Sequence, residues 1–232
     1  MNRVEATRDR LLAQDLHMLF DENSRLAGID LRIEVRGGVA HISGELSDGL
    51  QRQRVRSIAY RLKGIHAVWD TLRLPNESPL QMLDLGCGNQ KQRTSAIGID
   101  QHTFPPVDLI AHAERGLPFP SDVFDQVFAV HFLEHVHELV AVMNEIHRVL
   151  KPKGVLHIMV PHHDSINAIA DPTHVRFFHA QTFKYFCSAR PGLRPFAPLC
   201  ISKSNVDLFA DLQPIKYSFS NACEADLDRY FD

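Results

Sequence analysis

The sequence predicts an α/β protein in which a doubly wound parallel sheet follows a small αββαβ domain. Between residues 80 and 160, short apolar strands alternate with loops and helical stretches, which is typical of a parallel sheet with helices on its faces. Before residue 74 the pattern instead reads helix, strand, strand, helix, strand. Prolines and polar residues interrupt both patterns at 74–79, so we place one domain at residues 1–74 and another at residues 79–232.

The first domain opens with a helix, because apolar residues recur there at nearly helical spacing. Residues 30–36 then alternate between apolar and charged side chains, which predicts a half-buried strand. Gly37 and Gly38 predict a two-residue hairpin turn, because both tolerate positive φ, and residues 39–46 read as the returning strand. The stripe of the opening helix consists of Leu12, Leu16, Leu19 and Phe20.

A second helix and a third strand complete this domain. Gly64 ends the helix, and residues 66–74 read as the strand. With this element order, segments 38–46 and 64–72 resemble a BON domain, a family associated with binding phospholipid or other hydrophobic ligands. A packing or oligomerisation domain is the alternative. The helix carries an apolar stripe, Val55, Ile58, Ala59 and Leu62, and basic residues that could meet an anionic surface or simply face solvent, Arg52, Arg56, Arg61 and Lys63.

The second domain begins with five apolar segments that predict parallel strands, at residues 81–85, 96–100, 107–111, 125–130 and 155–160. A long amphipathic helix, stopped by residues 151–154, precedes the fifth. Residues 196–202 and 207–218 could add two late antiparallel strands, and residues 171–178 form either a loop over the substrate side or a capping segment. The helical stripe consists of Val136, Leu139, Val140, Met143, Ile146 and Leu150.

Chemistry-bearing residues cluster where the first two of these strands end. Ligands bind at the carboxyl ends of strands in an open parallel sheet, and glycines such as Gly86 and Gly88 let the backbone approach a ligand closely. Asp100 ends the second strand, where a carboxylate can accept hydrogen bonds from two ribose hydroxyls. Lys91 stands where a dinucleotide fingerprint requires its third glycine, so the pattern favours a nucleoside ligand other than NAD.

Several motifs together make the second domain resemble a class I S-adenosylmethionine-dependent methyltransferase with a Rossmann-like sheet, of the group often labelled type 11. They occur in the order typical of that family. The motifs are LDLGCG at 83–88, GID at 98–100, LPFP at 117–120, FD at 124–125, HFLEH at 131–135, RVLKP at 148–152 and VP at 160–161.

The resemblance implies a methyltransferase (EC 2.1.1.-) with S-adenosyl-L-methionine as its cofactor. Direct displacement at the methyl group would need little beyond alignment of an acceptor. The implied roles are Gly86, Cys87 and Gly88 beside the methionine part, Asp84 at its amino group, Asp100 at the ribose, Gln101, His112 and Ala113 at the adenine, and His131 near the sulfonium.

The sequence departs from the family pattern in ways that affect the pocket. His112 stands where the family often has an acidic residue. Only residues 89–95 separate the first two strands, so the usual first helix must be shortened or lost, which opens one side of the pocket.

A histidine could serve as general base, since its pKa lies near neutrality. The candidates are His131, His135 and His162, with His163 and His174 as further possibilities.

Two alternatives stay open besides the methyltransferase. Residues 131–135 read H-x-x-E-H, which on a helix would place His131 and His135 on one face to hold zinc, with Glu134 as base of a hydrolase. Its third ligand would be Glu145 or Glu224. The other alternative is a non-catalytic nucleoside-binding protein. The methyltransferase interpretation assigns no metal ligand.

The overall composition limits which binding partners and which cellular compartment we expect. The net charge of −3 gives no global bias toward nucleic acid. Four widely spaced cysteines argue against a disulfide framework or a cysteine zinc site. The charged N-terminus and the lack of a long apolar run predict a cytoplasmic protein without a transmembrane segment. The methyl acceptor is unidentified, with a small or lipid-like molecule as the expectation.

Overall fold

The computed structural model describes residues 3–216. The chain divides into two compact units, Met1–Pro79 and Leu80–Asp232, and each has a hydrophobic core of its own. No helix among residues 3–216 is long and apolar enough to cross a membrane.

The first unit has the αββαβ order, with three strands in the order β1-β2-β3. Strands β1 and β2 are antiparallel, whereas β2 and β3 are parallel. The bounds are α1 Arg3–Asp21, β1 Leu31–Arg36, β2 Val39–Glu45, α2 Gly49–Arg61 and β3 Ala67–Arg73.

The hairpin of the first unit is fixed by its glycines and by one carboxylate. Gly37 and Gly38 have φ values of 56° and 79°, as the hairpin turn requires. Their N–H groups donate to Asp9 at 2.7 and 3.2 Å, so the turn is tied to the first helix. The apolar stripe of that helix is narrower than predicted, because Leu19 is 37% exposed while Leu16 is fully buried.

Two of the basic residues on α2 make ion pairs inside the unit. Arg52 donates to Glu77, and Arg56 donates to Asp70 at 2.6 Å. These contacts differ from the open, anion-facing arrangement that the sequence allowed.

The second unit is a seven-stranded sheet in the order β6-β5-β4-β7-β8-β10-β9. Its first five strands in that order are parallel, and β10 is antiparallel to both of its neighbours, which confirms the predicted late antiparallel pair. Residues 217–218 of the last predicted strand lie outside the described residues. The strands are β4 Met82–Leu85, β5 Ile97–Asp100, β6 Leu109–Ile110, β7 Phe124–Val130, β8 Leu150–Pro161, β9 Phe196–Lys203 and β10 Asp207–Pro214.

The main helix of this unit is shorter than its apolar stripe predicted. Helix α3 spans Leu139–Val149 and is followed by α4 Ile166–Ala170 and α5 Ala180–Phe186. Val136 precedes α3, and Val140 is 41% exposed. Leu150 already pairs with Phe124 as the first residue of β8, so sheet pairing, and not the following lysine and proline, ends the helix.

The connections that follow β4 and β5 contain little helix. Residues 86–96, between β4 and β5, form turns, in line with the predicted loss of the first helix. The loop between β5 and β6 also lacks a helix in the described structure. The sheet is therefore Rossmann-like in order, but its doubly wound helical cover is thin on the side of these loops.

Candidate functional site

A cavity of about 490 Å³ lies at the carboxyl ends of β4, β5 and β7. The chain runs outward from β4 to β5 and β6, then returns to β7 on the other side of β4. Such a reversal leaves a crevice at the strand ends, where open α/β sheets bind their ligands. Predicted site residues that line the cavity are Gly86, Asp100, Gln101, His112, Ala113, His131 and His135.

The bend after β4 depends on Gly86. Its φ is +62°, a region that residues with a Cβ rarely adopt. A Cβ at this position would lie 2.5 Å from Cδ2 of Phe132, which follows β7 on the opposite side of the crevice. Phe132, the second residue of the HFLEH motif, was not predicted as a site residue from the sequence. Its ring closes the floor of the cavity against the glycine.

Asp100 joins the glycine bend to the tip of β5. Its Oδ2 accepts a hydrogen bond from the N–H of Gly88 at 3.0 Å, and its Oδ1 accepts one from the N–H of His102 at 2.9 Å. Each carboxylate oxygen keeps a further lone pair for a ligand. Gly88 has φ +51°, and no described heavy atom lies within 4 Å of where its Cβ would be. The bend therefore leaves open space beside a carboxylate.

Asp84 and Cys87 support this bend, and, like Gly88, they are not among the described residues that line the cavity. Asp84 is buried, and its Oδ2 accepts from the N–H of Gln92 at 2.5 Å. Burial raises the pKa of Asp84 to about 7, although the Gln92 N–H and Lys91 act to lower it. Burial, with the nearby charges of Asp84 and Asp100, raises the pKa of the Cys87 thiol to about 11. We infer that Asp84 orders the loop, whereas its predicted contact with the cofactor's amino group lacks support from its position.

His131 occupies a strained position at the end of β7. Its φ is 49°, an uncommon value for a residue with a Cβ and one that clusters at functional sites. Its Nδ1 lies 3.3 Å from Oε1 of the buried Glu134. Hydrogen bonding to that carboxylate raises the pKa of His131, and partial burial opposes the rise.

Glu114 is a second acidic residue of the cavity that sequence reasoning missed. Its Oε1 accepts hydrogen bonds from the N–H groups of His137 at 2.5 Å and Glu138 at 3.2 Å. Burial alone would raise the pKa of Glu114, but these N–H groups hold it below its usual range. The carboxylate therefore fixes the segment that follows β7 as part of the cavity wall.

A second cavity of about 570 Å³ shares His131 and His135 with the first. The segment predicted to lie over the substrate side contributes to both cavities. Thr173 lines the first cavity, and Asp171 and His174 are among the residues that line the second.

The zinc hydrolase interpretation is wrong in its geometry. His131 follows β7 directly, and only Leu133–His135 forms a single 3₁₀ turn, so no helix places His131 and His135 on one face. Of its proposed third ligands, Glu145 is bound by Arg148 and by the N–H of Leu117. Glu224 lies outside the described residues.

His162 was predicted to face the substrate together with His135. The structure instead buries His162 against His163 and His179, with ring centroids 4.4 and 6.0 Å away. Within residues 3–216, His162 lines neither cavity.

Part of this site lies in a segment that is similar to known proteins. Residues 89–158 match the family model of a methyltransferase domain. A demethylmenaquinone methyltransferase of Lysinibacillus sphaericus is 40% identical over 53 residues, 23% of each chain. An uncharacterized protein of Methanocaldococcus jannaschii is 48% identical over 50 residues, 22% of each chain. These matches thus span less than a quarter of either relative.

A solved structure with a similar fold is the 1,6-didemethyltoxoflavin-N1-methyltransferase of Burkholderia thailandensis, which holds 1,6-didemethyltoxoflavin and S-adenosylhomocysteine. It is 15% identical, with a TM-score of 0.47, over 60% of this chain and 72% of that chain. The match to the methyltransferase domain supports S-adenosylmethionine as the cofactor. The open space beside Gly88 and the carboxylate of Asp100 fit such a group.

Proposed function

We propose that this protein is an S-adenosylmethionine-dependent methyltransferase acting on a small or lipid-like acceptor. The observation that carries the proposal is the hydrogen bond from the Gly88 N–H to Asp100, which unites the glycine bend and the β5 carboxylate at one cavity. The family match over residues 89–158 supports the same conclusion.

We assign parts of the cofactor to the walls of this cavity as follows. Asp100 would hold the ribose hydroxyls, and the bend at Gly86 and Gly88 would take the methionine part. The bound group supplies a methyl carried on a sulfonium cation, and the protein's task is to align the acceptor with it. The adenine would be flanked by Gln101, His112 and Ala113, which all line the cavity.

The acceptor would enter from the second cavity. His131 and His135 line both spaces, so they are the histidines best placed to contact an acceptor and to take its proton. His162 is removed from this role by its burial in another cluster. Phe132 and Thr173, which line the first cavity, would help to exclude water from it.

Calorimetric titration of S-adenosylmethionine tests the cofactor site. Because Asp100→Ala removes acceptors of charge-assisted hydrogen bonds, each worth about 1.5–3 kcal/mol, we expect affinity to fall by about 10- to 100-fold or more. Asp164→Ala is the matched control: it removes the same charge from a carboxylate that is 70% exposed and outside both cavity walls, and it should bind like the wild type. Circular dichroism checks that both variants fold.

Unchanged binding by Asp100→Ala would remove this residue from the site and with it the proposal. A methyl-transfer assay over a panel of small and lipid-like acceptors then separates an enzyme from the non-catalytic nucleoside-binding alternative. Binding without transfer to any acceptor would favour that alternative.

For residues 1–74 we propose a BON-like domain, supported by the αββαβ order and the Gly37-Gly38 turn. Because Arg52 and Arg56 pair with carboxylates, any anionic surface would meet Arg61 and Lys63, which are exposed. A cytoplasmic location remains a prediction from the sequence.

A further inference from the structure

Ligand-type side chains converge at the second cavity. One carboxylate oxygen of Glu134 and one ring nitrogen each of His135 and His174 lie within 4.8 Å of one another. Asp171 stands beside them, with its Oδ2 3.8 Å from Nε2 of His174. Two imidazoles and two carboxylates form a mixed nitrogen and oxygen donor set of the kind that divalent transition metals prefer.

The hydrogen bonds of His174 determine which of its ring nitrogens can bind a metal. Its Nδ1 lies 2.9 Å from the carbonyl oxygen of Ala168. A carbonyl only accepts, so Nδ1 carries the proton and Nε2 keeps its lone pair in the neutral ring. In that neutral ring, Nε2 and Oδ2 of Asp171 are two acceptor atoms 3.8 Å apart, with no proton between them. A cation between the two atoms would turn this repulsion into attraction.

His135 is oriented in the same way through Thr173. The Thr173 hydroxyl donates its single proton to Oδ1 of Asp171 at 2.6 Å. It therefore cannot donate to Nδ1 of His135, which lies 3.0 Å from that hydroxyl oxygen and 3.2 Å from the Thr173 carbonyl oxygen. Nδ1 must be the donor, and Nε2 is left with its lone pair. Such fixing of ring tautomers by outer hydrogen bonds is typical of metal-binding histidines.

Glu134 supplies an independent observation. The residue is 1% exposed, and its Oε2 has no hydrogen-bond partner among residues 3–216. A buried carboxylate oxygen without a partner is costly, because it has lost its water without replacement. A bound cation would remove that cost.

The second histidine cluster of the protein provides a contrast. His162, His163 and His179 also lie within 4.8 Å of one another through one ring nitrogen each. However, Nδ1 of His162 accepts from the N–H of Asp164, and Nδ1 of His179 accepts from the N–H of Gln181. The neutral forms of these rings carry the proton on Nε2, which leaves no lone pair there for a metal.

From this arrangement we propose that Glu134, His135 and His174, with Asp171 as a fourth donor, bind one divalent transition-metal ion. The donor set favours Zn²⁺ or Mn²⁺ over Mg²⁺, since imidazole is a poor ligand for magnesium. His135 belongs to both cavities, so the ion would stand at their shared wall. Resting on the proposed function, its role there is to hold an oxygen atom of the methyl acceptor. His135 would then be a ligand of the ion, and the acceptor's proton would pass to His131.

Calorimetric titration of metal-stripped full-length protein with ZnCl₂, in the absence of any methyl donor, tests the site. We expect one ion per chain, bound more tightly than Mg²⁺ in a parallel titration. His174→Ala should weaken zinc binding by at least about tenfold. Asp171→Asn, which changes a half-exposed side chain and can keep the bonds to Thr173, should weaken it less and guards against a folding defect in the first variant. His163→Ala is the matched control from the other cluster and should leave zinc binding unchanged.

Three results would overturn the inference: no zinc binding by the wild type, equal binding by His174→Ala and the wild type, or loss of binding in His163→Ala alone. The titration is independent of the S-adenosylmethionine experiment. Zinc binding without S-adenosylmethionine binding would leave the metal site standing and remove the methyltransferase proposal. S-adenosylmethionine binding without zinc binding would leave the methyltransferase proposal standing and remove the metal site.

Discussion

Gly86 has a positive φ, and a Cβ at this position would also lie too close to Phe132. Gly88 has a positive φ but no such close neighbour. Alanine at either position must adopt a backbone conformation that costs roughly 1–2 kcal/mol. At position 86 the new methyl group would also clash with Phe132, adding about 1–3 kcal/mol. We therefore expect Gly86→Ala to lower the free energy of unfolding in urea by more than Gly88→Ala does.

A double variant separates the two costs. Relative to Phe132→Ala alone, the double variant with Gly86→Ala should lose only the backbone strain, because the clash is absent and the lost Phe132 packing is common to both. Equal destabilisation by the two glycine variants would contradict this account of the bend.

Individual residues differ in how far the sequence alone could place them. Gly86 and Asp100 were predictable, because both end strands that the apolar runs reveal. Glu134 and His174 were not predictable as neighbours, since the contact depends on a loop that hydrogen bonds fix in space. The N–H of Val175 donates to the Glu134 carbonyl oxygen at 2.9 Å, a pairing that no local pattern encodes.

Helix α3 holds the LPFP segment in place through one arginine. Arg148 donates to the carbonyl oxygens of Phe119 and Leu117 at 2.7 and 3.0 Å, and to Glu145 at 2.8 Å. Glu145 in turn accepts from the N–H of Leu117 at 2.9 Å. The RVLKP and LPFP motifs, separate in sequence, are thus two halves of one contact.

Replacement of this arginine tests the contact. Lysine keeps the charge but lacks the planar fork, so Arg148→Lys should lower the free energy of unfolding by about 1.5–3 kcal/mol. Arg115→Lys, at an exposed position nearby, should change it by less than about 0.5 kcal/mol. If Arg148→Lys lowered the free energy of unfolding by no more than Arg115→Lys, the planar guanidinium group of Arg148 would not be needed for this contact. Urea denaturation followed by circular dichroism supplies the measurement.

At the level of the elements, strand positions were largely predictable and helix limits were not. The apolar runs identified the central strands because each is buried on both faces. The end of α3 was misplaced because Leu150 is apolar in either conformation, and only its pairing with Phe124 assigns it to β8. The periodicity of the local sequence gives no information about such a strand-pairing partner.

Two buried groups make the stability of the whole molecule depend on pH in opposite directions. Asp84 has its pKa raised to about 7 by burial, so its stabilising contribution is present in acid and lost as the pH rises from about 4 to 7. His147 has its pKa lowered to about 4, chiefly by burial and also by Lys216. Its contribution is present above its unfolded pKa of 6.5 and lost as the pH falls toward 4.

Each contribution amounts to at most about 3–4 kcal/mol, at about 1.4 kcal/mol per pKa unit. The two should therefore nearly cancel in the wild type between about pH 4 and 7. In Asp84→Asn only the histidine remains, so the free energy of unfolding should rise with pH across this window. In His147→Gln only the aspartate remains, so the free energy of unfolding should fall as the pH rises across the same window. Urea titrations at several pH values measure both slopes, and parallel slopes in the two variants would refute the assignment.

The crossover between β4 and β5 is held by a few polar contacts instead of a packed helix. Lys91 donates to the Ala96 carbonyl oxygen at 2.9 Å and to Asp108 at 2.8 Å, and Asp84 accepts from Gln92. Such a loop tolerates exchange of its remaining side chains more readily than a buried helix would. Outside the glycine bend and these contacts, its side chains can therefore be exchanged while the sheet beneath retains its fold.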